Sequence, residues 1–166
     1  RVFDMNPWKA NLNLQLDCRA EGDGATMTDL LVDGKNLAGM ISETGTEGLY
    51  MIPADTSLAG VETMLANRIG RETILREAIE AFEEDDTAPK FDYIFLDCPP
   101  SLGVLSANAL VSADEIIIPM QAEYFSMQVL TKLMEVMQLV KQRLNPDLPI
   151  CLILPRMVDR LTNLTN

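Results

Sequence analysis

Phe91-Asp92-Tyr93-Ile94-Phe95-Leu96-Asp97-Cys98-Pro99-Pro100-Ser101-Leu102-Gly103 is the stretch on which the fold turns. Tyr93 to Leu96 is a continuous apolar run without alternation, which predicts a strand covered on both faces, at the centre of a sheet. Asp97 stands at its carboxyl end. Open parallel sheets place ligands outside the carboxyl ends of their strands, so the position is a candidate for chemistry. An acid there can equally cap the next helix by accepting its free N–H groups. The residues that follow narrow the choice: two prolines stiffen the turn, Ser101 stands at a helix start and Gly103 allows close approach.

Outward from this stretch, short apolar runs alternate with longer segments of helical period, the pattern of βα units and a parallel sheet. Upstream, Leu49 to Ile52 predicts a strand ending at Pro53. Leu58, Val61, Met64, Leu65 and Ile69 then recur at helical spacing and predict a helix covering that strand. A second helix is expected over 71–82, with Ile74, Leu75, Ala78 and Ile79 on one face, closed by the acidic run Glu83 to Asp86 as a solvated loop. Downstream, Glu115 to Ile118 predicts a strand that stops at Pro119, which cannot donate to a ladder. A long helix over 123–143 follows, with Phe125, Val129, Leu133, Met137 and Val140 on one face; Leu130, Met134 and Val136 widen it. Its methionines read as core packing. Asn145-Pro146-Asp147 ends it, and residues 149–154 form a last strand. Residues 10–48 are expected to hold small helices joined by turns.

At 166 residues and 48% apolar content the chain can bury a sizeable core. No apolar run approaches the roughly 20 residues that span a bilayer. The absence of histidine removes every mechanism that uses imidazole. Cys18, Cys98 and Cys151 form no CxxC pair and read as buried thiols in a reducing compartment. A net charge of −12 opposes binding to a polyanion, because phosphate affinity comes from clustered Lys and Arg. The thirteen basic residues here are scattered along the chain.

A second acid occupies a position like that of Asp97: Asp4 follows Val2-Phe3. The chain opens without Met on this apolar stub, as if cut inside a strand. An apolar strand ending in Asp is the Walker B arrangement, in which the carboxylate holds the water shell of a Mg²⁺ beside nucleotide phosphates. The partner motif, a glycine-rich loop followed by Lys and Ser or Thr, is missing. The one Gly-Lys pair, Gly34-Lys35, is followed by Asn36 and lacks the earlier glycine at the required distance.

Phe91 to Gly103, continued by Asn108-Ala109-Leu110 and Ala113-Asp114, resembles the Walker B region of the ParA and Soj partition ATPases of the ParA/MinD P-loop family. Ile118-Pro119-Met120-Gln121-Ala122-Glu123-Tyr124-Phe125 matches the segment that distinguishes the ParA side from the MinD side. Ile52-Pro53-Ala54, Leu58-Ala59-Gly60, Ile69-Gly70-Arg71-Glu72, residues 139–148 and the stretches from Met157 to Leu164 extend the similarity over nearly the whole chain. The resemblance implies an α/β fold with three α/β/α layers and a mainly parallel sheet. It also implies that residues 1–166 are a partial nucleotide-binding ATPase domain, incomplete at both ends, whose first strand and Walker A loop precede Asp4.

By the same resemblance, Asp97 is expected to help hold Mg²⁺, and Asp4, the first acid of an Asp-x-Asp-Pro-Gln motif, to lie by the attacking water. Pro99 to Gly103 would form a switch next to the γ-phosphate of ATP, and Arg156 and Met157 would approach the adenine. The family implies an ATP-dependent homodimer, a ParB-like partner, non-specific DNA binding through regions outside this chain, and a cytoplasmic, nucleoid-associated protein without a membrane anchor. Two departures stand at the site's edge: Asn6 replaces the second acid and Trp8 the glutamine. They support a competing expectation, a non-catalytic interaction or regulatory module on the same fold. A MinD-like membrane-cycling ATPase is the third, disfavoured by Gln121 to Phe125.

Overall fold

Two short parallel pairings organise the first part of the chain. The computed structural model describes residues 2–5, 16, 24–99, 101–121 and 127–156, in two compact units, Arg1–Ser112 and Ala113–Asn166. In the first unit, β1 (Val2–Asp4) lies between β3 (Tyr50–Ile52) and β4 (Phe95–Asp97), parallel to both. A two-residue strand, β2 (Ser42–Glu43), adds antiparallel to β3, giving the order β2-β3-β1-β4. No alternation longer than two residues marks β2, so the sequence pattern missed it.

The helices of this unit form where apolar spacing and end chemistry agree. Helix α1 (Met27–Asp33) buries Met27, Leu30 and Leu31, the i, i+3, i+4 stripe of one face. At its start the Thr26 N–H donates to the Asp29 carboxylate at 2.7 Å, a reciprocal cap that satisfies an orphan amide. At its end Gly34 takes the left-handed conformation, φ 70°, and donates to the Leu30 carbonyl. The Met27 N–H donates to the Pro53 carbonyl at 2.9 Å, tying the helix start to the end of β3.

The helix expected after Pro53 is broken. A 3-10 turn over Thr56–Gly60 leads into a single turn, α2 (Val61–Met64). Leu58, Val61 and Leu65 are buried as expected, but Met64 is 57% exposed and Ile69 is 98% exposed. The helical spacing there is therefore only partly used. Helix α3 (Ile74–Glu84) starts later than expected and takes in the first two acids of the run that was expected to be a loop. It buries Ile74, Leu75 and Phe82, while Ala78 and Ile79 pack partly against the core. Helix α4 (Val104–Ser112) buries Val104, Leu105 and Ala109 in the same apolar cluster as α1, α2 and α3.

Two expectations about β4 are corrected. Among the described strands it lies at the end of its sheet rather than at the centre. Phe95 is 54% and Tyr93 74% exposed, with their rings 6.4 Å apart, so among the described residues the strand is not covered on both faces. An unbroken apolar run says that cover is wanted; only the neighbouring elements decide whether it is given. The same position leaves Cys98 exposed rather than buried.

In the second unit β5 (Ile116–Gln121) and β6 (Ile150–Arg156) form a parallel pair, and α5 (Met127–Arg143) lies between them in the chain. The expected stop at Pro119 does not occur: β5 runs through it, with Pro119 opposite Leu154. Among the described strands β5 pairs only with β6, and a residue without an N–H is tolerated on a side that makes no ladder. On α5, Met137 and Val140 are buried and Leu133 and Val136 half-buried, the expected face. Met134, expected to widen that face, is 44% exposed.

Candidate functional site

The pairing of β1 with β4 brings the two sequence-predicted acids to one level. Val2 pairs with Phe95, Phe3 with Leu96 and Asp4 with Asp97, and the Met5 N–H then donates to the Asp97 carbonyl at 2.9 Å. Both acids close adjacent parallel strands at their carboxyl ends, the place where such sheets bind ligands.

The Asp97 carboxylate meets no hydrogen-bond donor among the described residues, and burial raises it above the usual carboxylate range. The cap alternative is thus not realised among those residues. Instead, the first amide of α4, on Val104, is met by Glu62, whose Oε1 accepts at 3.2 Å. Although Cys98 as a residue is exposed, protein atoms crowd its thiol, which is pushed up to about 12, by desolvation first and by the Asp97 charge second. Its Sγ lies 3.5 Å from the Leu96 carbonyl oxygen. It is a poor nucleophile, since the thiolate is the reactive form.

The loop from Asp97 to α4 contains two more of the expected site residues, Pro99 and Gly103. Pro99 is buried. Gly103 allows a close approach, as its sequence context predicts, but the group that approaches is the Glu62 carboxylate, 1.4 Å from where a Cβ would stand. Ser101 is not seen capping a helix with its hydroxyl; its carbonyl accepts from the Ser106 hydroxyl.

Asn108, part of the stretch that carries the resemblance but given no role there, is a structural residue. It is fully buried, and its Oδ1 accepts from the Leu75 N–H at 3.0 Å. Its Nδ2 donates to the Arg71 and Val104 carbonyls at 2.7 and 2.9 Å. Leu75 is the second residue of α3, whose own N-cap, Thr73, supplies no side-chain acceptor. Asn108 therefore caps α3 from α4. Sequence alone offered only a polar residue on an otherwise apolar helix.

Arg156 closes β6 in the second unit, opposite Gln121. Met157, Asn6, Trp8 and Phe125 lie outside the described residues. An open groove of about 550 Å³ in the second unit, lined by Met134, Met137, Gln138, Lys141, Gln142 and Pro146, includes none of the candidate site residues.

A Mg²⁺ bound through water asks for one or two carboxylates, with phosphates completing the shell. The unpartnered Asp97 carboxylate at a strand end fits that demand. A phosphate cradle is not supplied by Gly34-Lys35: Gly34 ends α1, and Lys35 Nζ pairs with Asp29 at 3.3 Å. Among the described residues no group of three or more His, Cys, Asp or Glu side chains could hold a metal without other ligands. No described helix is long and apolar enough to cross a membrane.

A family model described as an AAA domain matches residues 2–150. The chain is 43% identical over 136 residues to the sporulation initiation inhibitor protein Soj of Bacillus subtilis (strain 168), covering 82% of this chain and 52% of that protein. It is 36% identical over 165 residues to the chromosome partitioning protein ParA of Myxococcus xanthus (strain DK1622), covering 99% and 56%. The chain spans about half the length of these curated relatives. Among solved structures it is similar to cobyrinic acid a,c-diamide synthase from Mycobacterium smegmatis with bound ATP analog and magnesium. There the TM-score is 0.83 at 32% identity, over 97% of this chain and 63% of that one.

Proposed function

The chain belongs to the AAA-domain family of ParA and Soj, with its P-loop NTPase α/β fold, and from that membership we propose that the whole protein is a partition ATPase. It binds ATP with Mg²⁺, dimerises in the ATP-bound form, binds DNA non-specifically and is stimulated by a ParB-like partner. The observation that carries the reading is the register of Asp4 with Asp97 at the carboxyl ends of adjacent parallel strands. Asp97 helps hold the Mg²⁺ water shell, and Asp4 lies by the attacking water. Pro99 to Gly103 follow the γ-phosphate, and Arg156 and Met157 approach the adenine.

Support comes from the nucleotide and magnesium in the similar synthase structure. The Myxococcus xanthus relative named for chromosome partitioning matches at 36% identity against 32% for that synthase, which supports partition over a synthase reaction. The second reading, a non-catalytic module, rests on Asn6 and Trp8 in place of an acid and a glutamine. Mg²⁺-dependent ATP turnover by the whole protein separates the two. Turnover that rises with DNA and partner supports a partition ATPase; no ATP binding sinks that reading and supports the module.

A further inference from the structure

The structure assigns to Glu62 the role of a positioning residue, a carboxylate latch that fastens the loop after Asp97 to α2. Its functional part rests on the partition-ATPase reading; the contact itself does not.

Gly103 is the starting point. Its φ is not positive, so backbone conformation does not demand glycine there. Space does. A Cβ at Gly103 would stand 1.4 Å from Glu62 Oε1 and 2.6 Å from Glu62 Cδ. The same Oε1 accepts the Val104 N–H at 3.2 Å, although the two residues are 42 positions apart. That amide is among those a helix leaves without an internal partner, at the positive end of its dipole.

Both ends of the contact are held by the core. Val61, next to Glu62, is fully buried, and Val104 and Leu105 belong to the same apolar cluster. The carboxylate therefore bridges two fixed walls. The segment from Asp97 to Val104 has two other described side-chain ties to α4, the Ser106 hydroxyl on the Ser101 carbonyl and the Asn108 amide on the Val104 carbonyl. Releasing Glu62 removes the tie to α2, while the core contacts of Val104 and the Ala107 N–H on the Gly103 carbonyl still hold the first turn of α4, so it is the loop before Gly103 that loosens. That is the loop expected to follow the γ-phosphate.

Three variants of the whole protein test the latch: Glu62→Ala, Gly103→Ala and their double. In hydrogen exchange, Val104 should exchange about tenfold faster in Glu62→Ala, the loss of one charge-assisted hydrogen bond. Gly103→Ala should do the same by displacing the carboxylate. The double variant should exchange no faster than either single one, and Gly103→Ala should destabilise the wild type but not the Glu62→Ala background. Glu62→Gln, which keeps a neutral acceptor, should restore part of the protection. Unchanged Val104 exchange in Glu62→Ala, or additive effects in the double variant, would overturn the contact.

Steady-state turnover then tests the positioning. Glu62→Ala should lower kcat about tenfold with the KM for Mg-ATP retained, and Glu62→Gln should fall between. Wild-type turnover in Glu62→Ala, together with accelerated Val104 exchange, would overturn the positioning role. A wild-type protein without turnover would count against the ATPase reading, while the exchange and stability arms judge the contact on their own.

Discussion

Asp97 is held in its charged form at a cost, since desolvation raises it and no donor among the described residues offsets the loss of water. Because its folded value lies above the ordinary carboxyl value, its ionisation subtracts stability. That loss is absent below the ordinary value and develops as pH rises through the folded value. Asp97→Asn should therefore be more stable than the wild type at pH 7 without metal, with the difference vanishing in acid. Denaturant melts across pH check this. In the whole protein the same change should greatly reduce Mg²⁺-dependent hydrolysis, because a neutral amide only partly replaces a carboxylate at a metal shell. A variant both less stable and fully active would return Asp97 to a structural role. Asn108 behaves in the opposite way, since every hydrogen bond it makes is within the fold. Asn108→Ala leaves the Leu75 N–H and the Arg71 carbonyl without their buried partner and should cost about 2–4 kcal/mol in chemical denaturation. Asn108→Asp should not rescue it, because only the amide nitrogen can donate to the Arg71 and Val104 carbonyls.

At the scale of the element, helix ends decide more than helix interiors. Helix α1 depends on the Thr26–Asp29 cap at one end and Gly34 at the other. The backbone hydrogen bond from Thr26 is the largest cause holding Asp29 below its ordinary value, with Lys35 adding to it. A lowered folded value means that the stabilisation is present above the ordinary carboxyl value and is lost as pH falls through the folded value. Asp29→Ala should cost about 1 kcal/mol near neutrality and less in acid, read as an unfolding midpoint at several pH values. The strands show how far local pattern reaches. Tyr50 to Ile52 and Phe95 to Asp97 were legible because apolar runs bounded by proline and acid are strong signals. The cover over Phe95 and the passage of β5 through Pro119 were not, because both depend on which strand lies alongside.

For the whole molecule, the charge of −12 and the scattered basic residues decide one outcome. The 166-residue chain alone should not bind duplex DNA, since counterion release needs a basic cluster that it does not carry. Filter binding at low and moderate salt tests this, and salt-sensitive micromolar binding would show that a basic surface had been misplaced. With Gly34-Lys35 spent on a helix end, the same chain should bind ATP no better than millimolar by calorimetry.

The sequence by itself determined the alternation of strand and helix, the two acids at strand ends, the turn that follows Asp97 and the family to which these belong. Each of these is written in a few neighbouring residues, where apolar period, proline and glycine act over short range. Tertiary structure alone decided that Asp4 stands level with Asp97, that Asn108 caps α3 and that Glu62 rather than Asp97 meets the first amide of α4. It also decided that the space beside Gly103 belongs to a carboxylate. Those outcomes join residues tens of positions apart, and a strand's neighbour or a helix's cap is chosen by which groups packing brings within hydrogen-bond reach.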